Sequence, residues 1–139
     1  MEIPVSQDVV VSVDEISAFS ISGSVTLTLD SFSSGPGLDE DADASTTYAV
    51  TVNGTSKKIT ASLDAAFGIG LSLTVLMDPP TGGVSTPQIL STTDVDLVTS
   101  FGLIAESGLT ITYTASGTLQ AVPNGSGVTR TVTYTLADN

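Results

Sequence analysis

Cysteine, histidine and tryptophan are missing from all 139 residues. Without cysteine there is no disulfide framework, and the redox compartment leaves no mark on the chain. Without histidine or cysteine the commonest ligands of zinc, copper and haem are gone. So are the bases and nucleophiles of most triads and thiol enzymes. Positive charge is nearly as scarce. Lys57, Lys58 and Arg130 stand against 15 acids, for a formal net charge of −12. Nucleic acids and anionic lipid surfaces are held by clusters of lysine and arginine, so neither is an expected partner. No run approaches the ~20 apolar residues of a membrane-spanning helix, so no membrane insertion is expected. The first residues lack the basic stretch and apolar core of an export signal. An exported form would carry its leader outside this sequence. A carboxylate pair could hydrolyse glycosides without histidine or cysteine. Such sites normally carry aromatic sugar platforms, and aromatic residues make up only 5% of the chain. No catalytic residue and no enzyme are expected.

What is present is apolar and hydroxyl residues in alternation. Hydrophobic residues reach 40%, enough for a core, whereas charged residues reach only 13%. Soluble domains usually carry about 25% charged residues. Serine and threonine fill the gap, and both suit the outer faces of sheets. Over residues 109–121 Leu109, Ile111, Tyr113, Ala115, Gly117, Leu119 and Ala121 alternate with Thr110, Thr112, Thr114, Ser116, Thr118 and Gln120. Val128, Val132, Tyr134 and Leu136 repeat the pattern after a loop at 122–127. Side chains alternate faces along a strand, so period two marks one buried and one solvated face. The two runs read as a long antiparallel hairpin. Residues 46–64 read as a second one, turning at Asn53-Gly54, the pair favoured by type I′ turns.

The rest of the chain continues this grammar. Phe19, Ile21, Val25, Leu27 and Leu29 share a face interrupted by Gly23, giving one kinked strand or two short ones. Residues 71–77 form a further strand, ended by Pro79-Pro80 and Gly82-Gly83. Residues 88–90 are a strand end. Residues 95–103 hold the last strand before a turn at Glu106-Ser107-Gly108. No segment holds a helical period. Seven to nine short strands separated by turn signals predict an all-β fold, an antiparallel β-sandwich of Ig-like or jelly-roll-like outline. One domain, 1–139, is the count this length suggests.

Two segments stand apart. Residues 30–45 are non-periodic and read as a loop around Gly35-Pro36-Gly37. Asp39, Glu40, Asp41 and Asp43 follow closely there. Clustered carboxylates supply the hard oxygens that calcium takes, although the spacing is not that of an EF-hand. The plainer reading is a solvated acidic loop. Asp94 and Asp96 form a weaker pair. The other segment is residues 1–14, an extended N-terminal arm in which Val5, Val9, Val11 and Val13 could be knobs for a groove on a neighbouring sheet. Pairing within its own sandwich is the alternative. Asn53-Gly54-Thr55 and Asn124-Gly125-Ser126 match glycosylation acceptors, but turn chemistry explains both. The threonine rows suit an ice-binding face, yet threonine is also the ordinary outward residue of a sheet, and sheets twist.

Residues 45–65, 105–117 and 129–136 carry a resemblance. With their Tyr48-to-Val52, Thr110-to-Thr114 and Val132-to-Leu136 alternations, they resemble small secreted bacterial β-sandwich surface proteins and, more distantly, pilin and spore-coat-type subunits. The resemblance implies an extracellular or cell-surface location and a structural role, and it carries over no catalytic residue. The expectation is therefore a structural subunit of a fibre, appendage or coat. It would self-associate by strand addition through the arm. A calcium-dependent or glycan-binding module is the alternative, and ice binding is more remote.

Overall fold

The computed structural model describes residues 1–28, 40–121 and 127–139, with only the backbone of residues 40–42. Nine strands are described: β1 (Ser17–Ser22), β2 (Glu40–Val52), β3 (Lys57–Leu63), β4 (Leu71–Met77), β5 (Val84–Ser85), β6 (Gln88–Ile89), β7 (Val95–Phe101), β8 (Ile104–Gly117) and β9 (Val132–Asp138). They form two antiparallel sheets, one ordered β1-β2-β8-β4-β6 and the other β5-β7-β3-β9. The all-β sandwich read from period two is the fold.

The core lies between the sheets. Val75, Met77 and Ile111 from the first meet Ile59, Ala61 and Val98 from the second, all at 0% exposure. These residues recur every second position, so each strand turns one apolar edge inward. Among the described residues β1 and β6 are the edges of the larger sheet, and β5 and β9 those of the smaller. Inward residues of the inner strands are mostly buried. Those of the outer strands β1 and β9 (Phe19, Ile21, Val132, Tyr134, Leu136) are only partly covered, as are Val25 and Leu27 beyond β1.

Neither expected hairpin is one. β8 and β9 belong to different sheets, and so do β2 and β3. Their apolar faces look at each other across the core instead of sharing a ladder. The Tyr134 hydroxyl meets that of Tyr113 across this gap at 2.7 Å. Alternation specifies which side of a strand is buried, and an antiparallel neighbour and a facing strand satisfy it equally. At Asn53-Gly54 the chain crosses between sheets. The positive backbone angle falls on Ser56 (φ 56°), not on the Asn-Gly pair of a type I′ turn.

The turn expected at Glu106-Ser107-Gly108 is also absent. These residues lie inside β8, where Tyr48 pairs with Leu109 and Val50 with Glu106, so Ser107 and Gly108 together oppose Ala49. That is a β-bulge, and Gly108 sits there at φ 69°. The loop expected over residues 30–45 does not extend past Asp39, because β2 begins at Glu40 and pairs with β8 as far as Gly117; residues 30–39 lie outside the described residues. A long central strand demands a long partner, and that demand overrides the poor strand propensity of Asp and Ala.

Candidate functional site

The acidic candidates come first. Asp39 and the side chains of Glu40 and Asp41 lie outside the described residues. Glu40, Asp41 and Asp43 occupy register positions opposite Gly117, Ser116 and Thr114. Asp43 Oδ1 accepts a hydrogen bond from Thr114 Oγ1 at 2.8 Å. Among the described residues no three acids converge on one point. Asp96 pairs with Lys58 Nζ at 3.3 Å, and Asp94 is exposed. Of the two glycosylation patterns, 124–126 lies outside the described residues. The other is occupied, since Asn53 Oδ1 accepts from the amide of Ile16 and Nδ2 donates to the carbonyl of Asp14 at 2.9 Å.

A shallow cleft on the larger sheet is lined by Ser20, Ser22, Thr47, Tyr48, Ala49, Ser107 and Gly108. It offers hydroxyls and no carboxylate. The hydroxyl of Tyr48 donates to the carbonyl of Asp78. Burial, with Asp78 and Glu106 nearby, pushes its ionisation well above the ordinary phenol value. The cleft therefore holds no group able to act as a base near neutrality.

The arm is the feature the fold leaves unused. Residues 1–16 carry no secondary structure and every one is exposed. Val9, Val11 and Val13 stand 73%, 83% and 77% exposed, and Val5 91%. The arm does not pair in its own sandwich. No strand precedes Ser17, although Val9, Val11 and Val13 recur at the strand period, with Val10, equally exposed, on the opposite side.

Its root is held firmly. Ser17 opens the ladder of β1 by pairing with Val52. One residue outward, Asn53 N donates to the carbonyl of Ile16 at 3.1 Å, and the Asn53 side chain grips Ile16 and Asp14. Lys57, only 5% exposed, donates to the carboxylates of both Glu15 and Asp138. The hydrogen bonds to Asp138 and then Glu15 raise its ionisation above the ordinary lysine value. A buried cation requires such partners. This clasp ties the arm's last acid to the end of β9, so the arm leaves the sandwich beside the terminus of that edge strand. Sequence reading singled out the arm's valines but not its anchor. Asn53 looked like a turn residue, and Lys57, Glu15 and Asp138 are distant in sequence.

Comparisons with known protein families, with curated proteins and with solved structures find no match to this chain, so its site stands on its own geometry.

Proposed function

We propose that this protein is a structural subunit of an extracellular fibre, appendage or surface coat, assembled by β-strand addition through its N-terminal arm. The observation that carries this reading is the arm itself. It is an apolar segment of strand periodicity, anchored at its root and unpaired along its length, on a sandwich with free sheet edges. Exposed strand edges and exposed alternating valines attract each other, because pairing satisfies backbone hydrogen bonds and covers apolar surface at once. Proteins that stay monomeric blunt such features, and here both are left open among the described residues. The hydroxyl-rich outer faces, the lack of cysteine and histidine chemistry and the strongly acidic surface fit a structural rather than a catalytic role. They also fit a location outside the cell.

The test compares the full chain with a chain lacking residues 1–13, which keeps the Asp14 carbonyl gripped by Asn53. Negative-stain microscopy and light scattering are read on both. Filaments or oligomers formed by the full chain and lost on truncation are expected. A monodisperse monomer in both chains, across a wide range of concentration, sinks the proposal.

A further inference from the structure

The arm needs an acceptor, and among the described residues two unpaired edges flank the side of the sandwich where it emerges, β1 and β9. We infer that the acceptor is the free edge of β9 in a second copy of this chain. The arm would run antiparallel to it, with Val13, Val11 and Val9 opposite Val132, Tyr134 and Leu136. This rests on the strand-addition reading and names its partner surface.

Pattern, reach, direction and charge support the assignment. The inward side chains of β9 are three apolar residues at every second position, all partly exposed, and the arm offers three valines at the same spacing. Directly opposed residues of paired strands share a face, so the valines fall over the uncovered rim of the core. β1 presents only Phe19 and Ile21, and the ring of Phe19 already packs edge-on against Tyr48 at 6.1 Å.

Reach excludes nothing in the neighbour. At about 3.3 Å per residue the segment 7–13, just beyond the Asn53 grip on Asp14, spans roughly 23 Å, the length of a seven-residue strand. Direction excludes the chain's own β9. Residues 14–16 continue the line of β1 past the end of its ladder, gripped by Asn53. To lie on its own β9 the arm would have to reverse beside the Lys57 clasp. Such a reversal would fall on residues 9–13, four of which are β-branched valines suited to extended backbone.

Charge selects the orientation. In the antiparallel register Asp14 lies opposite Thr131, between Arg130 and the Asp64 carboxylate that accepts from the Thr131 amide at 3.0 Å, while Asp8 lies opposite Ala137 and Gln7 opposite Asp138. Among the described residues Arg130 donates to the carbonyl oxygens of Ala66 and Thr129 and stands 5.8 Å from the centre of the Phe67 ring. A parallel arm with its valines in the same three positions also sets an aspartate opposite Thr131 (Asp8) and another opposite Ala137 (Asp14), and differs in carrying Glu15 instead of Gln7 onto Asp138. In a chain of net charge −12 that placement is repelled. One arm and one acceptor edge at different places on each subunit form a heterologous contact, which propagates as an open filament unless the rotation closes.

The chain's lack of cysteine makes the test clean. In the proposed register Ser12 lies opposite Thr133, both on the solvent face and both exposed, so cysteines there leave the core intact. Chains carrying Ser12→Cys are mixed with chains carrying Thr133→Cys, oxidised gently and run on a non-reducing gel. A heterodimer band is expected, lost when the arm-donating chain also carries Val11→Asp. The double variant in one chain should give a ladder of covalent multimers. Thiols that disappear in the double variant without any multimer mean that the arm lies on its own β9, which overturns the inference. Filaments seen by microscopy without the Ser12–Thr133 cross-link, but with one between Ser12→Cys and Ser20→Cys, place the acceptor on β1. That overturns this assignment while leaving strand addition standing. Absence of every cross-link together with absence of arm-dependent oligomers overturns both.

Discussion

Single atoms decide most at the tyrosines and at Thr46. The Tyr134 hydroxyl is half-hidden between the sheets against Tyr113, and burial, then that hydrogen bond, raises its ionisation far above the ordinary value of 10.0. Tyr48 is raised too, by burial and then by Asp78 and Glu106. A group whose folded value is raised contributes its full stability below the unfolded value and loses it as pH climbs toward the folded one. Stability should therefore hold up to about pH 10 and fall above it, because the unfolded chain releases phenolic protons that the folded chain keeps. Each such group steepens the fall by at most about 1.4 kcal/mol per pH unit. Urea unfolding between about pH 9 and 11 should show a shallower decline for Tyr134→Phe than for the parent chain, and parallel declines would remove Tyr134 from the account. Below that range the same variant should cost about 1 kcal/mol for the lost hydroxyl contact. Thr46 Oγ1 is the converse case, buried and without a hydrogen-bond partner among the described residues. An unsatisfied hydroxyl costs free energy, and valine keeps the shape without it. Thr46→Val should raise the urea midpoint at unchanged m-value, with a gain in unfolding free energy of up to about 1 kcal/mol. A lower midpoint would mean that the hydroxyl has a partner.

Elements were legible to the extent that they depend on local pattern. The strands at 57–63 and 71–77 follow from alternation and lie where the residues place them, whereas the runs read at 88–90 and 95–103 end short, at Ile89 and Phe101. What failed was pairing. Tyr48, Val50 and Val52 alternate in the same way whether their strand meets Ile59 in a ladder or across the core, so Asn53-Gly54 reads as a hairpin turn from sequence alone. In the structure Asn53 is the clamp of the arm, a role visible only once residues 37 and 39 positions upstream are brought to it. β5, two residues long at Val84–Ser85, has no periodicity to detect and exists because β7 supplies a partner. The arm was legible as apolar alternation, yet its being unpaired was not, since that depends on every other strand having found a partner. The crossing from β2 to β3 also sets a steric condition. Gly102, between β7 and β8, lies so close that a Cβ there would stand 2.6 Å from the carbonyl oxygen of Gly54 and 2.7 Å from the Cα of Thr55. These are backbone atoms, and Gly54 O also accepts from the amide of Leu103 at 2.9 Å. Gly102→Ala should therefore push the two connections apart and cost about 1–3 kcal/mol. It should also loosen the nearby root of the arm. Thermal melts and amide exchange at Ile16 and Asn53 check this, and an unchanged melt with unchanged exchange would show that the turns yield freely.

At the scale of the whole molecule, assembly sets apolar gain against charge. Covering an exposed valine contributes roughly 1.5–3 kcal/mol. Ordering each residue of a free arm costs roughly 1–2 kcal/mol. The two are close, so the outcome at each junction depends on the hydrogen bonds along the added strand and on repulsion between subunits. That repulsion is substantial, because every copy carries a net charge of −12 spread over a surface with three cations, one of which is buried. Exposed charges more than about 10 Å apart are largely screened at 0.1 M salt. The contacts that favour docking are apolar and hydrogen-bonded, and screening leaves them intact. Salt should therefore promote assembly, in contrast to complexes held by opposite charges. Raising sodium chloride from about 0.01 M, where the screening length is about 30 Å, to about 1 M, where it is about 3 Å, should lower the protein concentration at which scattering rises. The chain lacking residues 1–13 should stay monomeric throughout. Val9→Asp, Val11→Asp and Val13→Asp each add a charge to the face that must be covered. Each should raise the threshold while leaving the thermal melt of the monomer unchanged, because these side chains are largely exposed in the isolated sandwich. Scattering that rises with salt equally in the truncated chain would assign self-association to another surface. A threshold that rises with salt would mean that charge pairs, not the valines, hold the subunits together.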